Sequence, residues 1–144
     1  MAPRADPRHL FVYGTLRSEF PHPLSRRLSL EARLIGKGSA PGILYAFSSY
    51  PGAVFRQDAR ERVIGEVYAL RGERLLAELD AYEGVVETGT PAFRRVPIGI
   101  RLYRGGQIEA WTYELTEAPR HARRIEGGDF MQHLGRVAPR PVRL

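Results

Sequence analysis

Short apolar runs rich in β-branched and aromatic residues recur along the chain, and turns rich in glycine or proline separate them. Such runs predict buried strands. The predicted strands are residues 9–13, 31–36, 42–47, 63–70, 93–103 and 107–115. The first run stops at Gly14, which predicts a tight loop, and the last two runs flank Arg104-Gly105-Gly106, a hairpin signal. Gly36, at the end of the second run, and Gly38 and Pro41, which follow it, mark the break before the third.

Residues 73–83 carry the one convincing helical pattern, and Gly84 follows where a helix commonly ends. At about 100° per residue, the apolar side chains of this segment fall within an arc of roughly 120°. They are Leu75, Leu76, Leu79 and Tyr82. Glu83 falls inside the same arc, whereas Glu78 and Asp80 fall on its flanks.

Glu83 is therefore the acid of this helix that we expect to point toward the core. Burial and the negative end of the helix dipole both disfavour a carboxylate, so they would raise the pKa of Glu83. A carboxyl group with a raised pKa can shuttle a proton near neutral pH. The alternative is that the last helical turn frays and Glu83 turns into water.

Many strands and one main helix, with a second short helix at residues 23–28, predict an α+β domain built on a curved sheet or small barrel. We assign residues 1–8 to a flexible arm, residues 9–144 to a single domain, and the part from about residue 117 to an irregular basic tail. No apolar run approaches the roughly 20 residues that cross a bilayer, and the start lacks the apolar core of a secretory signal. We expect a soluble, cytoplasmic protein without a membrane partner.

Composition narrows the possible chemistry. The chain has no cysteine, which excludes disulfides, thiolate nucleophiles and zinc–cysteine sites. Its four histidines are scattered without the spacing of a metal-binding pair, so we expect no metal site. Residues 36–41 begin like a dinucleotide-binding motif but have proline where the third glycine belongs, and we expect no cofactor.

The formal net charge of +6 is of a kind common in nucleic-acid-binding proteins. Half of that excess lies in residues 117–144, which contain six arginines and three acidic residues. A solvated basic surface explains this distribution, so nucleic acid is not the partner that we expect.

Two short stretches have the composition of a binding site. Residues 13–16, Tyr-Gly-Thr-Leu, follow the first predicted strand. Gly14 would let the backbone approach a ligand, and successive amide N–H groups could bind an anion. An ordinary turn at the end of a strand is the alternative. Trp111 and Tyr113 alternate on the last predicted strand, where aromatic residues usually form core or pocket wall.

Four segments, in their order and spacing, resemble the γ-glutamylcyclotransferase-like family, which includes plant avirulence-induced (AIG2-like) proteins and small bacterial proteins. The segments are Phe11-Val12-Tyr13-Gly14-Thr15-Leu16-Arg17, Gly65-Glu66-Val67-Tyr68, Leu79-Asp80-Ala81-Tyr82-Glu83-Gly84 and Ala110-Trp111-Thr112-Tyr113. Softer matches are Tyr50-Pro51-Gly52, Phe93-Arg94-Arg95-Val96 and Gly128-Asp129. The resemblance, over about residues 9–115, implies a small mixed β-barrel with flanking helices.

The resemblance also implies a pocket for a γ-glutamyl group that uses neither metal nor cofactor. The family's catalytic glutamate corresponds to Glu83. Its substrate-binding residues correspond to Tyr13, Gly14, Thr15, Leu16 and Tyr113. The loop Tyr-Gly-Thr-Leu is closer to the γ-glutamylamine branch than to the glutathione-pathway enzyme, which has Tyr-Gly-Ser-Asn. The amine leaving group therefore stays open.

The implied reaction is intramolecular acyl transfer, in which the α-amine attacks its own γ-carbonyl and Glu83 acts as base and then acid. It releases 5-oxoproline and a free amine. Arg17 or Arg94 could assist, although an exposed or structural role fits each better. The alternatives are a non-catalytic small-molecule-binding module with the same pocket, a cyclotransferase for carrier-bound or protein-bound γ-glutamyl groups, and a basic nucleic-acid-binding protein. The sequence leaves the oligomeric state open.

Overall fold

The computed structural model describes residues 8–14, 17, 23–47, 51–82 and 93–137. The strands are β1 (His9–Val12), β2 (Ala32–Ala46), β3 (Pro51–Phe55), β4 (Arg62–Leu70), β5 (Phe93–Leu102), β6 (Gln107–Leu115) and β7 (Arg123–Arg124). The helices are α1 (Pro23–Glu31), α2 (Arg74–Tyr82) and α3 (Phe130–Val137). No helix within the described ranges combines the length and the apolar character that crossing a membrane requires.

Five of the described strands form a closed barrel in the order β2–β4–β1–β6–β5, with β5 returning to β2. Neighbouring strands are antiparallel, except that β1 and β6 run parallel where Leu10 faces Trp111. The closing pair is short and joins residues 38–39 of β2 to residues 101–102 of β5. β3 and β7 extend the sheet beyond the barrel along β2. This architecture confirms the predicted α+β fold, a small mixed β-barrel with flanking helices.

β2 is one continuous strand of 15 residues, whereas the sequence predicts two strands here. The prediction of a break was wrong because the local signals have other causes. The register shifts between Leu34 and Gly36, so a bulge accommodates the first glycine. Pro41, which lacks a backbone N–H, is the last β2 residue paired with β4, and pairing with β3 begins at the next residue.

Alternation along the strands sorts the apolar side chains into two clusters. The interior cluster of the barrel includes Phe11, Ala40, Val63, Val67, Ile100 and Ala110. The outer cluster, which packs the barrel wall against α1 and α2, includes Leu10, Leu28, Tyr68, Leu75, Leu79 and Tyr113. Neighbouring residues on β1 therefore belong to different clusters, and so do neighbours on β6. This division determines which side chains face helix α2.

The chain after residue 117 contains regular structure that the sequence interpretation missed. β7 pairs with β2, and α3 follows it. Ile125 and Phe130 are buried in the interior cluster of the barrel, and Leu134 packs against the same cluster. A helix of only eight residues that contains a glycine produces a short periodic pattern, which explains why an irregular tail was expected.

Gly128 fits the start of α3 against β4. Its φ is +67°, and its carbonyl oxygen accepts a hydrogen bond from the Ile64 amide at 2.9 Å. A Cβ at this position would overlap the carbonyl oxygen of Arg62. Gly128→Ala should therefore lower the free energy of unfolding by about 2 kcal/mol or more, as measured by urea denaturation.

Gly135→Ala is the matched control for this prediction. Gly135 lies inside α3 without a positive φ, and no atom lies within 4 Å of a Cβ built there. Alanine should raise the free energy of unfolding by about 0.5–1 kcal/mol, because it lowers the entropy of the unfolded chain. Equal effects of the two substitutions would contradict the packing described for Gly128.

Candidate functional site

Helix α2 packs its apolar face against the outer wall of the barrel. Leu75, Leu76 and Leu79 are each less than a tenth exposed, which confirms the inward position predicted for these three residues. Asp80 lies at the edge of this face, and its side chain is 19% exposed. Because α2 ends at Tyr82, Glu83 is the next residue along the chain, and it lies outside the described residues.

Asp80 accepts three hydrogen bonds from the barrel wall. Arg95 donates from Nε to Oδ1 at 2.8 Å and from Nη2 to Oδ2 at 3.0 Å, a bidentate ion pair. Tyr113 donates its hydroxyl hydrogen to Oδ1 at 2.6 Å. Arg95 and Tyr113 face each other across the β5–β6 ladder, so both side chains leave the same face of the sheet. These charge-assisted bonds fix the last turn of α2 to the barrel.

Trp111 contacts Arg95 on the same wall. It precedes Tyr113 by two positions and therefore lies on the same face of β6. The guanidinium carbon of Arg95 lies 4.3 Å from the centroid of the Trp111 ring. This cation–π contact holds the plane of the guanidinium while its N–H groups bind Asp80.

Tyr13 connects the end of β1 to this wall. Its hydroxyl donates to the carbonyl oxygen of Tyr113 at 2.6 Å and accepts from the Ala53 amide at 3.1 Å. The ring is buried and lies edge-on to Phe55, with 5.8 Å between the ring centroids. The hydroxyl of Tyr13 thus fixes β1 to β6 and β3.

Gly14 follows Tyr13 at a point where the backbone passes close to Pro51. A Cβ on Gly14 would lie 2.6 Å from Cγ of Pro51, so the position requires glycine. The Gly14 carbonyl oxygen accepts a hydrogen bond from the Arg17 amide at 3.0 Å, which joins the two ends of segment 14–17. Thr15 and Leu16 lie outside the described residues.

Three predicted site residues, Tyr13, Gly14 and Tyr113, lie together where the end of β1 meets β6. The hydrogen bonds from Tyr13 to Tyr113 and from Tyr113 to Asp80 join this region to α2. Of the two arginines considered as assistants, Arg17 pairs with Asp129 at 2.8 Å and Arg94 pairs with Glu114 at 3.0 Å.

A groove of about 310 Å³ borders the Asp80–Arg95 pair. Arg8 and Glu73 contribute opposite charges to its lining, and Trp111 contributes apolar surface. Among the described residues, no group of three or more histidine, aspartate or glutamate side chains is arranged to hold a metal ion. This groove has the size and mixed lining that suit a small organic group.

A larger cleft of about 620 Å³ borders the β5–β6 hairpin and residues 40–41, 55–57 and 62. Its buried carboxylate, Glu114, accepts hydrogen bonds from the Phe55 amide at 3.0 Å and from Arg94. Burial, with a smaller effect from nearby Arg101, lowers the pKa of the Arg62 guanidinium below its ordinary value. Glu114 thus joins β6 to β3 and to β5.

Sequence reasoning missed Asp80 and Arg95 as members of this site. The helical pattern places Asp80 on the flank of the apolar face, but it does not identify a partner. The hairpin contains the missing signal, because a turn centred on Arg104 places residue 95 opposite residue 113. An acid at the edge of an apolar helix face, together with an arginine opposite a tyrosine, could have indicated this cluster.

Comparisons with known proteins extend over most of the chain. A family model described as "Gamma-glutamyl cyclotransferase, AIG2-like" matches residues 10–132. A protein of Methanocaldococcus jannaschii, called a "putative gamma-glutamylcyclotransferase", is 29% identical over 129 residues, which cover 88% of this chain and 98% of that protein. YkqA of Bacillus subtilis has a similar fold, with a TM-score of 0.68 and 23% identity over 90% of this chain. The match spans about two-fifths (41%) of YkqA.

An AIG2-like protein of Mus musculus has the same fold, with a TM-score of 0.60 and 22% identity over 80% of this chain and 82% of that protein. The family match runs from β1 through β6 to α3, and it contains the four segments that carry the sequence resemblance. That resemblance is confirmed. The chain belongs to the gamma-glutamyl cyclotransferase, AIG2-like family.

Proposed function

We propose that this protein is a γ-glutamylcyclotransferase that releases 5-oxoproline from a γ-glutamyl amine or peptide. Family membership and the name of the Methanocaldococcus jannaschii relative support this class of reaction. The observation that carries the proposal is the series of hydrogen bonds from Asp80 through Tyr113 to Tyr13. It holds the turn that precedes Glu83 close to the strand end that leads into segment 13–16.

Chain geometry supports Glu83 as a group that can reach this region. Three peptide units separate residues 80 and 83, so their Cα atoms lie within about 11 Å of each other. The Asp80 carboxylate already touches the Tyr113 hydroxyl at 2.6 Å. A carboxylate three residues further along the chain therefore remains within reach of a small molecule bound beside Tyr113.

In the proposed reaction, the neutral α-amine nitrogen attacks the γ-carbonyl carbon of the same γ-glutamyl group. The new C–N bond closes a five-membered lactam, and the C–N bond to the leaving amine breaks. Glu83, ionised, takes the proton from the attacking nitrogen and then gives it to the leaving nitrogen. The carboxylate is thereby regenerated, and no external nucleophile is required.

We assign substrate binding to segment 13–16 and to the wall around Tyr113. The proposed residues are Tyr13, Gly14, Thr15, Leu16 and Tyr113. Because the hydroxyl of Tyr13 is hydrogen-bonded to β6 and β3, its role would be to position the backbone that follows. Backbone amides of this segment would bind the substrate carboxylate or the oxyanion that develops during attack.

A preorganised wall suits this chemistry, because cyclisation needs one folded conformer of a flexible substrate. Holding that conformer lowers the entropic part of the barrier. Asp80, Arg95 and Trp111 hold one another through the ion pair and the ring contact described above. Their mutual contacts keep the neighbouring Tyr113 in place before substrate arrives.

Local ion pairing favours this reaction class over nucleic-acid binding. The arginines that pair with a carboxylate include Arg17, Arg27, Arg56, Arg94, Arg95 and Arg124. At the surface, Arg27 bonds to Glu31 and Glu78, and the bond to Arg27 is the main cause that lowers the pKa of Glu31. Each of these arginines is therefore already bound to a carboxylate and is not a free phosphate-binding group.

Incubation with a panel of γ-glutamyl amino acids and γ-glutamyl amines should release 5-oxoproline, detected by mass spectrometry. A chelator should leave the rate unchanged, because the proposed reaction assigns no step to a metal ion. The member turned over fastest would identify the leaving group. Saturable binding of a panel member without any turnover would instead support a non-catalytic binding module.

Glu83→Gln should keep the fold and substrate binding but lower kcat by about 100- to 10,000-fold, because the amide cannot take up the proton. Circular dichroism and calorimetric titration would check fold and binding. Glu78→Gln is the matched control, because Glu78 lies on an exposed flank of α2 and pairs with Arg27, so activity should persist. Full activity of Glu83→Gln would refute the proposed mechanism.

Tyr113→Phe should remove one hydrogen bond from Asp80 and loosen the last turn of α2. We expect kcat/KM to fall by about tenfold and the free energy of unfolding to fall by about 1 kcal/mol. Tyr103→Phe serves as the control, because the Tyr103 side chain is 59% exposed and lies outside the site. Steady-state kinetics and denaturation should separate the two variants, and identical behaviour would argue against a role for the Asp80–Tyr113 bond.

A further inference from the structure

Arg17 is an unusually buried cation at the end of the candidate substrate segment. Its side chain is 1% exposed, and Nη1 donates to Oδ1 of Asp129 at 2.8 Å. The Asp129 side chain is 17% exposed. A buried ion pair seldom adds much net stability, since desolvation offsets the attraction, but its directional bonds can fix one arrangement of the chain.

The backbone of Arg17 is bonded as well as its side chain. Its amide donates to the Gly14 carbonyl oxygen at 3.0 Å, so segment 14–17 is joined at both ends. At the other end of that segment, Gly14 lies against Pro51 with no room for a side chain. Gly14 is therefore joined through Arg17 to Asp129.

Asp129 is itself fixed by two elements. The same Oδ1 atom that binds Arg17 accepts from the backbone amides of Met131 at 3.1 Å and Gln132 at 3.3 Å, as an N-cap of α3 does. The preceding residue, Gly128, bonds to the Ile64 amide of β4. One carboxylate oxygen thus connects the start of α3 to the segment after β1.

We propose that Arg17 and Asp129 are positioning residues for substrate binding: their ion pair anchors the described ends of segment 14–17 to the start of helix α3, and this anchoring sets the affinity for the γ-glutamyl group. This inference rests on the proposed function, because it takes segment 13–16 as the substrate loop. We assign neither residue a contact with the reacting atoms. This inference takes segment 13–16 to bind the substrate carboxylate, whereas Glu83 transfers the proton. Loss of either residue should therefore raise KM and leave kcat nearly unchanged.

Asp129→Ser tests the pair while preserving the helix cap. Serine is a good N-cap residue, but its shorter side chain withdraws the oxygen from Arg17. KM should rise about tenfold or more, with kcat within about threefold of the unaltered protein. Asp129→Asn keeps the length and the cap but loses the charge, so it should give a smaller rise in KM. A lower kcat at unchanged KM would overturn the proposal.

Two further variants act as controls. Arg17→Lys retains a cation that can reach Asp129, so it should recover part of the affinity that Arg17→Met loses. Asp58→Asn removes a surface ion pair in which the Arg56 side chain is 61% exposed and the Asp58 side chain is 77% exposed. This change should alter neither KM nor kcat. Equal KM values for Arg17→Lys and Arg17→Met would show that charge and hydrogen bonding at residue 17 do not matter.

Amide hydrogen exchange tests the positioning independently of turnover. In Asp129→Ser, exchange in segment 14–17 should accelerate about tenfold, while amides of α2 and α3 keep their protection. Unchanged exchange in segment 14–17 would overturn the positioning role, whatever the activity. Faster exchange throughout α3 would overturn it too, because the variant would then have lost the helix. Faster exchange confined to segment 14–17, in a protein that turns over no γ-glutamyl compound, would support the positioning role and refute the proposed function.

Discussion

Alternation of side chains along β6 is the constraint on which the candidate site depends. Ala110 and Glu114 point toward the barrel interior and its cleft, whereas Trp111 and Tyr113 point toward α2. The hairpin register then brings Arg95 to the same outer face as Tyr113. A slip of one residue in β6 would exchange the two faces and place a glutamate where the tyrosine now meets the helix.

Two kinds of interaction hold helix α2 on the barrel: apolar packing and directional polar bonds. Leu76 and Leu79 supply apolar burial, which is strong but has little directional preference. Asp80 supplies directional bonds, and each of its partners comes from a strand whose register is already set. A helix held by apolar packing alone could rotate or slide by small amounts. The polar contacts remove that freedom just before the chain continues to Glu83.

Local sequence patterns were sufficient to predict those elements in which one face packs against the core. The hairpin, the strand at 62–70 and the inward face of α2 follow from periodicity within a few residues. β2 could not be derived in this way, because its glycines and its proline mark a bulge and a change of partner. The role of Arg95 could not be predicted from its own strand, because it depends on Asp80, which belongs to another element. Glu83 lies outside the described residues, so its role remains a prediction.

The order of strands in the barrel has a consequence for how the chain folds. β1, the first strand along the chain, lies between β4 and β6, so it cannot complete its pairing until most of the chain is available. The Tyr13–Tyr113 bond spans 100 residues, and the Arg17–Asp129 bond spans 112. Contacts so distant in sequence slow folding, because loop closure costs entropy before the contact stabilises anything. During synthesis on the ribosome, β1 is made before both of its partner strands, β4 and β6. We therefore expect the candidate site to form late in folding.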